Sequence, residues 1–145
     1  MIQGYFSTIG ATRRPFVYAS LQFPVLSDLH FGVEFLVDTG ADRTMLSPSD
    51  ATRIGIDLST LPLGARSTGI GGQVQTREIE TVLTMESFST PLTIYIPETP
   101  LPIHSLLGRT VLSHFALFME ERTDRVLLLE PSEADALDLP LNVKS

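Results

Sequence analysis

The 145-residue chain contains no cysteine. Disulfides, thiol nucleophiles and cysteine-based zinc sites are therefore excluded. Lysine is almost missing as well: Lys144 stands alone, and every other basic residue is arginine. With 10 Lys+Arg against 17 Asp+Glu, the net charge is -7. Sequence-independent nucleic-acid binding needs a basic footprint, so no nucleic-acid partner is expected. No apolar run approaches the ~20 residues that cross a bilayer. Met1 to Phe6 lacks the basic and apolar regions of a signal peptide. A soluble, cytoplasmic protein with no membrane partner is the expectation. The three histidines, His30, His104 and His114, lack metal-ligand spacing. No G-x-S-x-G elbow is present, which argues against a serine hydrolase.

What is present fits one domain, with 43% hydrophobic residues to build a core. Short apolar runs separated by turn residues dominate, an all-β signature. Phe16–Phe23 and Phe31–Val37 read as strands, Thr44–Leu46 as a short one. Ser47-Pro48-Ser49-Asp50 opens a short helix, with Ser at the N-cap, Pro at N1 and an acid at N3; it stops near Gly55. Arg66 to Thr84 reads as a long hairpin whose tip, Gly69 to Gly72, supplies positive-φ residues. Leu92–Ile96 is a further strand, and Pro97, Pro100 and Pro102 mark a rigid loop. A second helix is expected over Thr110–His114, then strands at Phe115–Met119 and Val126–Glu130 around the turn Arg122–Arg125. Ser132 to Asp135 is a candidate capping box. The domain is placed at 1–131, with 132–145 as a tail or short helix.

The chemistry points to Asp38-Thr39-Gly40-Ala41, directly after the apolar run Phe35-Leu36-Val37. An ionised carboxylate at the end of a buried strand is costly unless something offsets it. Pairing it with a second carboxylate and sharing one proton is one solution. The chain holds only one such turn, so the second carboxylate would come from another copy of it.

The segment Phe35 to Asp42 resembles the active-site loop of retropepsins, the single-domain aspartic proteases. Three further pieces follow the family order: Arg14-Pro15, the glycine-rich Gly69-Ile70-Gly71-Gly72, and Leu106-Leu107-Gly108-Arg109. The chain is longer than the viral pattern, with extra residues between the first strand and Asp38, a hairpin in place of a single terminal strand, and a tail. In this it looks more like the cellular and bacterial branch. The resemblance implies an all-β acid-protease half of closed-barrel type with two short helices, active as a C2 homodimer. It implies an aspartic endopeptidase that hydrolyses peptide bonds in extended polypeptides, apolar residues flanking the cut. Asp38, Thr39 and Gly40 would be catalytic, one Asp38 from each subunit activating water while the other donates to the scissile carbonyl. Ala41, Asp42, Gly69, Ile70, Gly71 and Gly72 would bind substrate, with Ile70 at the tip of a closing flap. Arg14, Leu107, Gly108 and Arg109 would support the site and the dimer, Arg109, Asp42 and Arg14 of the partner as an ionic network. Neither a metal nor an organic cofactor is called for, because water is the nucleophile. Ala41 cannot donate a hydrogen bond to the carboxylate, so a mildly acidic optimum is expected.

Blander readings exist for each piece. Asp-Thr-Gly alone suits an ordinary turn, the glycine run alone a simple hairpin tip, and Arg109 alone a local charge compensation. The glycine run is no dinucleotide fingerprint, since Val74 stands where a glycine is needed. The competing functional class is a non-catalytic retropepsin-like module that binds a peptide or protein and dimerises without cutting.

Overall fold

The computed structural model describes residues 1–69 and 72–141. The fold is mostly β. Its elements run β1 (Ile2–Gln3), β2 (Tyr5–Ile9), β3 (Thr12–Gln22), β4 (His30–Val37), α1 (Pro48–Ile54), a 3-10 turn (Leu58–Thr60), β5 (Ser67–Gly69), β6 (Gly72–Val74), β7 (Thr76–Met85), β8 (Phe88–Pro97), β9 (Ser105–Leu107), α2 (Arg109–Leu112), β10 (Ala116–Glu120), β11 (Arg125–Leu129) and α3 (Pro131–Asp135).

Strand β3 is the spine. Its first half pairs antiparallel with β2, from Phe16 on it pairs with β4, and its last three residues lie between β4 and β7, Phe16 facing Leu36 and Leu21 facing Leu83. The sheet order is β8-β7-β3-β4-β9, and β4 and β9 run parallel. A second sheet, β1-β11-β10, packs the chain's ends together, and β5 and β6 form a separate ribbon. Alternation decides what goes inside. Val17, Ala19 and Leu21 of β3, Val33, Phe35 and Val37 of β4, and Ile79, Leu83 and Met85 of β7 all point into one core. Val126, Leu128 and Ile2 carry the second sheet onto it. His104 packs edge-on to Phe16 at 5.3 Å and His114 against Phe88 at 5.4 Å, so both act as aromatic packing residues.

Several elements differ from the sequence expectation. The main sheet does not close into a barrel. Among the described residues, its edge strands β8 and β9 are linked only through Thr44–Leu46: Thr44 and Leu46 bond the backbone of Tyr95 on one side, and Met45 that of Leu106 on the other. Thr44–Leu46 is therefore a bridge and not a strand; the chain turns at once into α1, where Pro48 can give no ladder donor. The expected hairpin over Arg66–Thr84 is divided. Only the short ribbon β5–β6 pairs locally, while β7 leaves to pair along its whole length with β8 around Glu86 (φ 52). Arg14-Pro15, which the resemblance places before the first strand (Phe16–Phe23), lies inside β3. The N-terminal hairpin β2–β3, turning at Gly10 (φ 63), was not expected from sequence.

The helices number three among the described residues, all short. Ser47 caps α1 by accepting from the Asp50 N–H at 3.0 Å, and Gly55 (φ 90) ends it. Helix α2 begins at Arg109, one residue before its expected start. The box at α3 is shifted two residues upstream: the Glu133 carboxylate accepts from the Glu130 N–H at 3.1 Å. In the β10–β11 turn, the Thr123 hydroxyl and then Arg125 hold the Glu120 carboxyl below its usual range.

One junction orders the segment after β4. The Asp38 N–H donates to the Leu107 carbonyl at 3.1 Å and the Arg109 N–H to the Ala41 carbonyl at 2.9 Å. Met45 and Leu106 exchange two bonds of 2.9 and 2.8 Å. The segment thus lies along β9 and over the start of α2. A Cβ at Gly108 would stand 2.3 Å from the Arg43 carbonyl oxygen and 2.9 Å from that of Ala41. Only glycine permits this approach.

Gly108→Ala should therefore lower stability by about 2 kcal/mol or more, because backbone and not a flexible side chain must move; urea denaturation checks this. Phe35→Ala, at a fully buried site, should cost about 3–5 kcal/mol. Val25→Ala, 70% exposed, should stay within about 0.5 kcal/mol.

Candidate active site

The turn that carries Asp38 is built by β4, which delivers the residue from a buried strand to the rim of a groove. Asp38 is half-buried. Its carboxylate accepts from the Gly40 N–H at 2.9 Å, and its carbonyl accepts from the Ala41 N–H at 3.2 Å. The turn thus fixes the carboxylate without covering it. Behind it stands Thr44, fully buried, whose hydroxyl lies 2.8 Å from that of Thr110 and accepts from the Gly108 N–H at 3.2 Å. Ser105, also buried, accepts from the Ser47 N–H at 2.9 Å and donates to the Asp50 carboxylate at 2.6 Å. These hydroxyls satisfy backbone groups that the interrupted ladder leaves over.

The groove has a volume of about 700 Å³. Asp38, Gly40, Ala41 and Asp42 form part of its wall, Gly72 reaches it from the ribbon, and Arg14 lines it from β3. Thr39 is exposed beside the turn and does not line the groove. Leu107 and Gly108 lie beneath, as the backbone seat of the turn. Gly69 pairs with Gly72 at the described end of the ribbon; Ile70 and Gly71 lie outside the described residues. Arg109 binds the Asp42 carboxylate, but both side chains are exposed, 60% and 72%. Such a pair contributes little to the stability of one chain.

The groove also takes residues for which the sequence offered no sign. Arg43, Met45, Arg66 and Tyr95 all line it. The Arg43 guanidinium sits over the Tyr95 ring, 5.3 Å from its centroid. Thr44, Thr110 and Ser105 were likewise unread. A buried hydroxyl leaves no trace in periodicity; the only hint was that Thr44 and Ser105 each adjoin apolar residues. Among the described residues, no helix is long and apolar enough to cross a membrane.

Among curated protein sequences none matches the chain. Solved structures do. EIAV protease in complex with an inhibitor superposes with a TM-score of 0.55 at 21% identity, over 74% of this chain and 92% of that one. A retropepsin-like aspartic protease from Rickettsia conorii gives 0.57 at 22% identity, over 78% of this chain and 81% of its own. The model of a family described as aspartyl protease matches residues 28–111, more than half of the sequence and the stretch that holds the whole Asp38 junction. The chain therefore belongs to the aspartyl protease family, and its fold is retropepsin-like.

Proposed function

We propose that the chain is an aspartic endopeptidase that works as a homodimer, with Asp38 of each subunit at a common site. The observation that carries this reading is the supply of carboxylates. Among the described residues lining the groove, only Asp38 and Asp42 bear one, and Asp42 is held by Arg109. Hydrolysis of a peptide bond by water needs one group to take a proton from the water and another to give one to the carbonyl. A single Asp38 cannot do both at once. Two copies across a two-fold axis can, one ionised and one protonated, since two adjacent carboxylates do not both ionise cheaply.

The other assignments follow from this arrangement. Thr39, exposed beside the turn, would bond across the axis to the second turn. Gly40 and Ala41 leave room for a substrate backbone. The β5–β6 ribbon, with Gly69 and Gly72 at its described end and Ile70 and Gly71 beyond, would add its backbone to an extended peptide. Arg14 carries no carboxylate partner among the described residues. In the dimer it would meet the partner's Asp42, joining the Arg109–Asp42 pair into a network. Residues 1–131 would form the protease unit.

The test is cleavage of a diverse peptide library by the wild type and by Asp38→Asn. The wild type should cut and the variant should not, while unfolding at the same temperature. Mixing the two in equal amounts and allowing subunits to exchange should leave roughly a quarter of the activity of undiluted wild type, because only one dimer in about four then holds both aspartates. Retention of half the activity would mean that each chain works alone. Peptide binding without cleavage at any pH would make the protein a binding module. Activity should peak in the mildly acidic range; a rate still rising below about pH 3 would overturn that expectation.

A further inference from the structure

Nine of the chain's ten basic residues are arginines. Six of them meet a carboxylate: Arg13 at Asp124, Arg53 at Asp50, Arg77 at Glu98, Arg109 at Asp42, and Arg122 and Arg125 at Glu120. The remaining three, Arg14, Arg43 and Arg66, take part in no ion pair among the described residues, and all three line the groove beside Asp38. In a chain with 17 acidic side chains against 10 basic ones, a cation without a partner is the exception. Three such cations in one concavity focus a positive field there.

We infer that the groove selects substrates carrying an acidic side chain, which Arg43 and Arg66 bind near the scissile bond. The inference rests on the groove being the peptide-binding site proposed above and names the class of peptide it takes. Arg14 is assigned to the dimer contact, so Arg43 and Arg66 are the two free for substrate. They approach from different elements: Arg43 lies five residues after Asp38 in the segment along β9, and Arg66 stands at the foot of the β5–β6 ribbon. The Tyr95 ring holds the Arg43 guanidinium by its face, which leaves the N–H donors at its edge for a planar acceptor. Both arginines are exposed, so neither has lost its hydration in the free groove. A Glu or Asp side chain entering beside them gains charge-assisted hydrogen bonds inside a concave wall where water is partly displaced. The apolar groove residues Met45, Ile103 and Leu106 still accommodate the neighbouring apolar side chains.

The experiment uses extended peptides with apolar residues at the cut, made in pairs that differ only by Glu or Gln at each flanking position. Two quantities are read: kcat/KM with the wild type, and affinity by fluorescence anisotropy with Asp38→Asn. At one or more positions the Glu peptide should be favoured by about ten-fold, and raising the salt should erode that ratio. Arg43→Gln with Arg66→Gln should bring the ratio close to one, and Arg43→Glu with Arg66→Glu should invert it, so that the Gln peptide is favoured over the Glu peptide. A wild-type ratio near one at every position, in both readouts, overturns the inference. So does a ratio that survives the double substitution in a protein of unchanged melting temperature. The salt series on the unmodified chain decides the matter even where a variant folds poorly. Cleavage without a Glu preference would leave the protease reading standing and remove this one; tighter binding of Glu peptides without cleavage would do the reverse.

Discussion

The passage of the Asp38–Leu46 segment between β9 and the first turn of α2 is the constraint on which the site depends. A strand that ends in a carboxylate turn has no reason of its own to hold still. Here its N–H and C=O groups are taken up by Leu106, Leu107 and Arg109, so the turn is fixed by main-chain bonds. The arrangement needs two further conditions. Gly108 must lack a side chain, because the Arg43 carbonyl occupies the space a Cβ would fill. Thr44 must supply a hydroxyl in a fully buried position, where an unpaired Gly108 N–H would be expensive. Packing and hydrogen bonding thus meet at the turn that carries Asp38.

The same junction explains the open sheet. Closing β8 onto β9 would require a strand between them, and the chain offers only the three residues Thr44–Leu46 before Pro48 starts a helix. These three residues make both links, and Met45, with Tyr95 and Leu106 on either side, lines the groove. The concavity and the interrupted ladder have one cause. Charge is distributed in keeping with this: arginines on the outer faces are neutralised locally, and those lining the concavity meet no carboxylate among the described residues.

A good part of this was legible in the residues themselves. The period-two runs of β3 and β4, the Ser47–Pro48–Asp50 start and Gly55 stop of α1, and the β10–β11 hairpin all follow from local rules that tertiary structure had no reason to override. The N-terminal hairpin was missed although Gly10 marks its turn, because Ser7, Thr8, Arg13 and Arg14 dilute any apolar alternation. The long glycine-tipped hairpin was misread for a different reason. Val74 to Thr84 alternates equally well whether it folds back on its own ribbon or pairs with β8, and the pattern carries no information on the partner.

The sequence alone determined the class of fold and the one carboxylate turn, since both are written in short-range patterns: alternation, caps, and an acid set behind an apolar strand. Which strands pair, whether the sheet closes, and which arginines find a carboxylate were decided only by tertiary structure. Each depends on residues tens of positions apart arriving at the same place, and no local spacing encodes that meeting.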